Sequence, residues 1–339
     1  MKLVQTKDAV GHVLCHDLTQ IIPGVCKDAA FRKGHVVTKE DIPVLLSMGK
    51  EHLYIWEKKE NMLHENDGAH ILCDLCKNEH MRQSEVKEGK IELFAECDGL
   101  FLVDKKRLDQ INGLGEMIIA SRHGDFPVRK GDKLAGMRVI PLLIEEEKMN
   151  RAKEAAKGGP LFTLKPFLKM SAGIVTTGSE VFYGRIPDAF TGVVEEKLSE
   201  YGVEIVGKEL SDDDPKRTAE AIFRLLQKGA GLIVCTGGMS VDPDDRTPAA
   251  IRMAAHEVVT YGVPALPGAM FMLAYAKNKV PIMGLPGCVM YAKRTIFDLV
   301  LPRVLAGERP ARESLLKMGE GGLCLSCPSC VFPNCGFGK

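Results

Sequence analysis

Apolar residues follow two rhythms along this chain. From about residue 165 to 307, short runs that are apolar at most positions alternate with segments whose apolar residues recur every three to four positions. The runs at 172–176, 203–207, 231–235, 257–260 and 280–284 read as buried strands. The segments 188–200 and 215–228 read as amphipathic helices. In the second, Ala219, Ile222, Phe223 and Leu226 fall on one face. Asp212-Asp213-Asp214-Pro215 marks its start, where the helix dipole suits acids and proline's missing N–H is harmless. Strand alternating with helix predicts an α/β fold, a mostly parallel sheet with helices on both faces. Ligands of such sheets bind beyond the carboxyl ends of the strands.

The first half of the chain is less regular. Residues 1–57 are turn-rich, with a helix near 39–48 and a strand at 53–56; residues 58–78 carry a helical pattern. From 90 to 145 the pattern becomes strand-rich, at 90–94, 99–103 and 137–144. A charged segment, 145–157, then reads as a connector helix that breaks at Gly158-Gly159-Pro160. The predicted organisation is a small α+β region (1–57), a strand-rich middle domain with the connector helix (58–160), an α/β domain (161–310) and a Cys-rich tail (311–339). A chain of 339 residues exceeds one usual core, so several domains are expected.

Composition narrows the function classes. Lys plus Arg and Asp plus Glu balance at 45 each, which argues against a general nucleic-acid or membrane-surface binder. No apolar run approaches the roughly 18 residues of a membrane span, and the first residues lack an apolar signal core, so the expected location is cytoplasmic. Of eleven cysteines, seven are scattered and four cluster near the end. Without a signal segment a disulfide framework is not expected. Cys73 and Cys76 read as structural thiols on one helical face, and His64, Glu65, Asp67 and His70 as surface polar groups.

Candidate chemistry concentrates where strands end. Three of the apolar runs lead into Thr177-Gly178-Ser179-Glu180, Thr236-Gly237-Gly238 and Leu285-Pro286-Gly287. Glycine lets the main chain approach a ligand, and Ser179, Thr236 and Ser240 offer hydroxyl donors. A strand, a glycine turn and a helix together suit a phosphate. Asp242, Asp244 and Asp245 beside the second loop suit Mg2+ shared with ligand phosphates. Cys288 falls where a helix would begin, a position that favours thiolate. In the tail, Cys324, Cys327, Cys330 and Cys335 have a spacing that serves tetrahedral zinc or an iron–sulfur cluster.

On these residues the region 170–307 resembles the molybdopterin-binding domain of molybdopterin molybdotransferases and adenylyltransferases. The matching pieces are Gly173–Glu180, Thr236–Asp245, Val263–Gly268 and Gly284–Gly287. Thr6–Leu14, Asp17 and Phe31–Gly34 are similar to the opening of the molybdotransferase, in a shorter region. The resemblance implies a three-layer α/β/α domain that binds molybdopterin or its adenylated form and acts in molybdenum cofactor biosynthesis. It places Asp245 near the phosphate and metal; Asp242 and Asp244 are extra here, and Asp245 with Asp242 or Asp244 is expected to position Mg2+ for catalysis. The residues expected at the pterin ligand are Thr177, Gly178, Ser179, Glu180, Thr236, Gly237, Gly238, Ser240, Pro286, Gly287 and Cys288. Three departures stand out: Ser179 where the family often has Asp, Ala269 where it has Lys, and Cys288-Val289 in place of Asn-Pro. The reading therefore divides between molybdate insertion and a non-catalytic carrier, sensor or chaperone. A nucleotide-hydrolysing relative of similar fold is a third course. A homo-oligomer, and contact with other cofactor-biosynthesis proteins or a molybdoenzyme, are also expected.

Overall fold

The strands at the middle of the C-terminal sheet are apolar throughout because helices cover both of their faces. In the computed structural model, which describes residues 2–22, 26–55, 60–240, 242–243 and 245–339, this sheet has six strands. They are β1 (Ser171–Thr177), β2 (Glu204–Ser211), β3 (Leu232–Thr236), β4 (Glu257–Tyr261), β5 (Met272–Tyr275) and β6 (Pro281–Leu285). Their order is β2-β1-β3-β6-β5-β4. The pairs β1–β2, β1–β3 and β3–β6 are parallel, whereas β6–β5 and β5–β4 are antiparallel.

Successive side chains of a strand point to opposite faces, and here each face meets helices. Ile174, Leu232, Val234, Leu273 and Met283 pack with α1 (Phe190–Ser199) and α4 (Ile296–Leu305). Val175, Ile233, Cys235, Met272, Ala274 and Ile282 pack with α2 (Pro215–Gln227) and α3 (Thr247–Ala254). The expected three-layer α/β/α domain with a mostly parallel sheet is present. Edge strand β2 alternates exposed and covered positions, as an edge exposed on one side should.

Several local details depart from expectation. Phe223 is 44% exposed, and α2 instead buries Ala219, Ala221, Ile222 and Leu225. Leu225 lies over Gly173 and Gly207, where an added Cβ would come within 2.9 and 2.6 Å of its side chain. Those two glycines set the face of the helix. Strand β5 and helix α4 had no forecast. Every residue of α4 is buried, so its sequence shows no polar stripe to mark the period. A capping box between Thr295 and Asp298 starts it.

The chain divides into two compact units, Met1–Glu96 with Val103–Arg122 and Gly131–Thr163, and Cys97–Leu102 with His123–Lys130 and Leu164–Lys339. In the first, Lys2–Gln5 pairs with His52–Ile55 around a small core of Leu14, Leu18, Val37, Leu45 and Leu53. Residue 56 of the predicted strand lies outside the described residues. The predicted helical stretch 58–78 is a strand, Met62–His64, followed by a helix, Glu65–Cys76. The run expected at 137–144 splits into Lys133–Val139 and Leu143–Glu145, either side of Pro141. The connector helix is Glu146–Ala155. Among the described residues no helix is long and apolar enough to cross a membrane.

Two of the supposed surface residues are buried. His64 is 3% exposed and Glu65 7%. His64 Nε2 donates to the Cys15 carbonyl at 2.8 Å while Nδ1 accepts the Asn66 N–H at 3.2 Å, which caps the helix. Burial lowers the pKa of His64 and raises that of Glu65 to about 6. Cys73 and Cys76 are fully buried, and burial pushes the Cys73 thiol up to about 11.

Candidate functional site

Parallel pairing carries the ends of β1, β2, β3 and β6 to one rim. Thr177 stands opposite Ser211, Thr176 opposite Thr236, and Thr236 opposite Leu285. The loops after these strands therefore all leave the sheet at the same edge, the place where α/β sheets bind ligands.

Between two of the loops lies a cavity of about 280 Å3. Thr177, Gly178 and Glu180 line it from the β1 loop, and Gly237, Gly238 and Asp245 from the β3 loop. Ile186, Pro187 and Phe190 form an apolar wall. Asp213, from the loop after β2, completes it. Its carboxylate accepts the Ser179 N–H at 2.9 Å. Sequence reasoning had read Asp213 only as part of a helix start. The available signal was its position two residues beyond a parallel strand.

A hydroxyl network braces the floor. Thr177 Oγ1 shares a 2.8 Å hydrogen bond with Thr247 Oγ1, and lies 3.2 Å from the Thr236 carbonyl that accepts from it. Thr176 Oγ1 meets Thr191 Oγ1 at 2.9 Å. All of Thr176, Thr177, Thr236 and Thr247 are buried. Thr236, expected at the ligand, thus serves the support beneath it.

The glycines divide in the same way. A Cβ at Gly237 would fall 2.1 Å from the Thr177 carbonyl oxygen, and one at Gly238 would fall 2.9 Å from Thr247 Oγ1. Both have positive φ, +83° and +50°. Glycine is required here to let two loops touch, as well as to leave the cavity open.

Asp242 and Asp245 form one turn. The Asp245 N–H donates to the Asp242 carbonyl at 2.9 Å, and the Asp245 carboxylate accepts the Asp242 N–H at 3.3 Å. Asp245 is half-buried at the cavity, while Asp242 and Ser240 are exposed. Asp244 lies outside the described residues. Pro286, Gly287 and Cys288 reach the same rim without forming part of the cavity's described wall. The segment Gly287–Met290 is a single 3-10 turn. Burial raises the Cys288 pKa, opposite to the lowering expected from a helix start. One short turn supplies little dipole, and desolvation outweighs it.

The described wall carries three carboxylates, Glu180, Asp213 and Asp245, and among the described residues no Lys or Arg. A phosphorylated ligand would meet net negative charge unless a cation came with it. Among the described residues no three His, Cys, Asp or Glu side chains gather as the ligand set of one metal ion.

Residues 173–306 match the family model of a probable molybdopterin binding domain, and residues 3–57 match a domain of unknown function (DUF8806). A CinA-like protein of Mycobacterium avium is 36% identical over 89 residues, 26% of this chain and 20% of that protein. A molybdopterin molybdenumtransferase of Synechococcus elongatus is 24% identical over 202 residues, 57% of this chain and 50% of that protein. The chain thus spans a fifth and a half of the lengths of these two curated relatives. A crystal structure of the molybdopterin biosynthesis enzyme MoaB from Thermus thermophilus is 25% identical, with a TM-score of 0.36, covering 41% of this chain and 98% of that one.

Proposed function

We propose, on the premise that residues 173–306 are a domain of the molybdopterin-binding family, that this chain binds molybdopterin or its adenylated form with Mg2+ and acts in molybdenum cofactor biosynthesis. One observation carries the reading. The Thr177–Gly178 and Gly237–Gly238 turns touch each other and together line a cavity at the carboxyl rim of the parallel sheet, with Asp213, Asp245 and Glu180 around it.

In this reading the glycine turns receive the phosphate or pyrophosphate, and Ile186, Pro187 and Phe190 flank the apolar part of the ligand. Asp245 would hold Mg2+, which would supply positive charge against the ligand's phosphates. Asp242 and Asp244 belong to the same acidic turn in sequence. Asp213 compensates for Ser179, since its carboxylate stands at the Ser179 amide, beside the position where the family often has Asp. Thr177 and Thr247 keep the turns at the spacing that the ligand needs.

Titration of adenylated molybdopterin by fluorescence, with and without Mg2+, tests the proposal. Binding is expected to strengthen at least about tenfold with Mg2+, about 1.4 kcal/mol, and Asp245→Asn is expected to abolish that gain. No binding in either condition would overturn it.

A carrier without catalysis is favoured by a wall lacking Lys and Arg among the described residues, because fewer cations stabilise a developing anionic transition state. Supplying molybdate and Mg2+ and measuring released AMP separates the two. AMP release supports the transferase; tight binding without release supports the carrier.

A further inference from the structure

The tail cysteines share a cavity that has no lining residue in common with the one at the glycine loops. Cys324, Cys327, Cys330 and Cys335 all line one space of about 460 Å3, and none is in a disulfide. The tail is held at its neck, where the Gly338 N–H donates to the Gly321 carbonyl at 2.8 Å. It is also held to the body of its unit: the Leu266 N–H donates to the Gly322 carbonyl at 2.7 Å, and the Cys324 N–H to the Leu266 carbonyl at 2.8 Å. Phe337 is 3% exposed, and Phe332 packs against it. Cys324 and Cys335 pack against the hydrophobic core, while Cys327 and Cys330 are exposed.

Two kinds of metal centre ask different things of four sulfurs. One tetrahedral zinc needs its sulfurs about 2.3 Å from a single point. These four are among the residues that line one open space, and no three of them gather as the ligand set of one ion. An iron–sulfur cluster has a polyatomic core, and its four cysteine ligands stand apart around it.

We propose that the tail holds an iron–sulfur cluster ligated by Cys324, Cys327, Cys330 and Cys335. Each thiol releases its proton as its sulfur bonds iron, and iron and sulfide come from solution. The resulting centre is anionic, and Lys293 on the same wall supplies positive charge, while Arg294 beside it is paired with Glu200 and Asp298. This inference is independent of the pterin reading.

The test is metal and acid-labile sulfide analysis of the full chain, purified without oxygen and reconstituted with ferrous iron and sulfide. Roughly two to four irons with matching sulfide per chain, and an electron paramagnetic resonance signal after reduction, are expected. The paired substitution Cys327→Ser and Cys330→Ser, at two exposed positions, is expected to lower bound iron at least about tenfold with the circular dichroism spectrum unchanged. Should that variant misfold, the iron and sulfide content of the parent chain decides. Stoichiometric zinc without sulfide, a folded chain that stays metal-free after reconstitution, or iron retained in the folded double variant would each overturn the proposal.

Discussion

At Gly237 a single hydrogen atom separates a working loop from a collision. Its backbone takes φ +83°, and a methyl group there would sit 2.1 Å from the Thr177 carbonyl oxygen. Gly237→Ala is expected to destabilise the protein by about 1–3 kcal/mol and to weaken pterin binding, as chemical denaturation and ligand titration would reveal. Unchanged stability would mean that the two loops do not touch. Glu65 poses the opposite problem, a carboxyl group withdrawn from water. Burial raises its pKa to about 6, with Glu88 adding to the rise and Arg138 opposing it. The folded chain therefore binds this proton more tightly than the unfolded one. The resulting stability is fully present below the ordinary value of 4.5 and is lost as pH rises through about 6. Glu65→Gln should remove that loss, stabilising the protein by up to about 2 kcal/mol near pH 7.5 and by little near pH 4.5. Urea unfolding at the two pH values checks the sign.

Elements form where local sequence and packing agree, and α2 shows the limit of the local part. Its existence and its start at Asp214-Pro215 were legible, because a capping acid and an N-terminal proline act within one turn. Its buried face was only partly legible. Gly173 and Gly207, far away in sequence, admit Leu225 and turn Phe223 outward. Leu225→Ala would leave a cavity over those glycines and is expected to cost about 2–5 kcal/mol in thermal or denaturant unfolding. A loss below about 1 kcal/mol would mean that the sheet collapses into the gap. Helix α4 was illegible for another reason: burial all round removes the polar stripe that betrays a period. In the same way, β1, β3 and β6 were visible as unbroken apolar runs, whereas β5 lies between turns that hid its ends.

On the scale of the molecule, each unit is assembled from separated stretches of chain. The second takes Cys97–Leu102 and His123–Lys130 from the middle of the sequence. There Phe126↔Phe101 and Val128↔Gly99 pair antiparallel, and Phe126 joins the core of the sheet domain. Its ring packs on Phe332 of the tail at 6.1 Å between centroids. Phe126→Ala is expected to destabilise this unit by about 3–5 kcal/mol and to speed amide hydrogen exchange at Gly338 and Cys324. Exchange unchanged at the tail would mean that it holds without Phe126. The sequence alone determined the alternation of strand and helix, and with it the parallel sheet and the rim where its glycine loops emerge. Those features are local: apolar period, caps and turns act over a few residues. Only the tertiary structure decided that Asp213 joins the cavity, that Thr236 supports it from below, that burial raises the Cys288 pKa, and that four tail thiols line a single space. Each depends on residues distant in sequence coming within a few ångströms, and on how much water the packing leaves beside them.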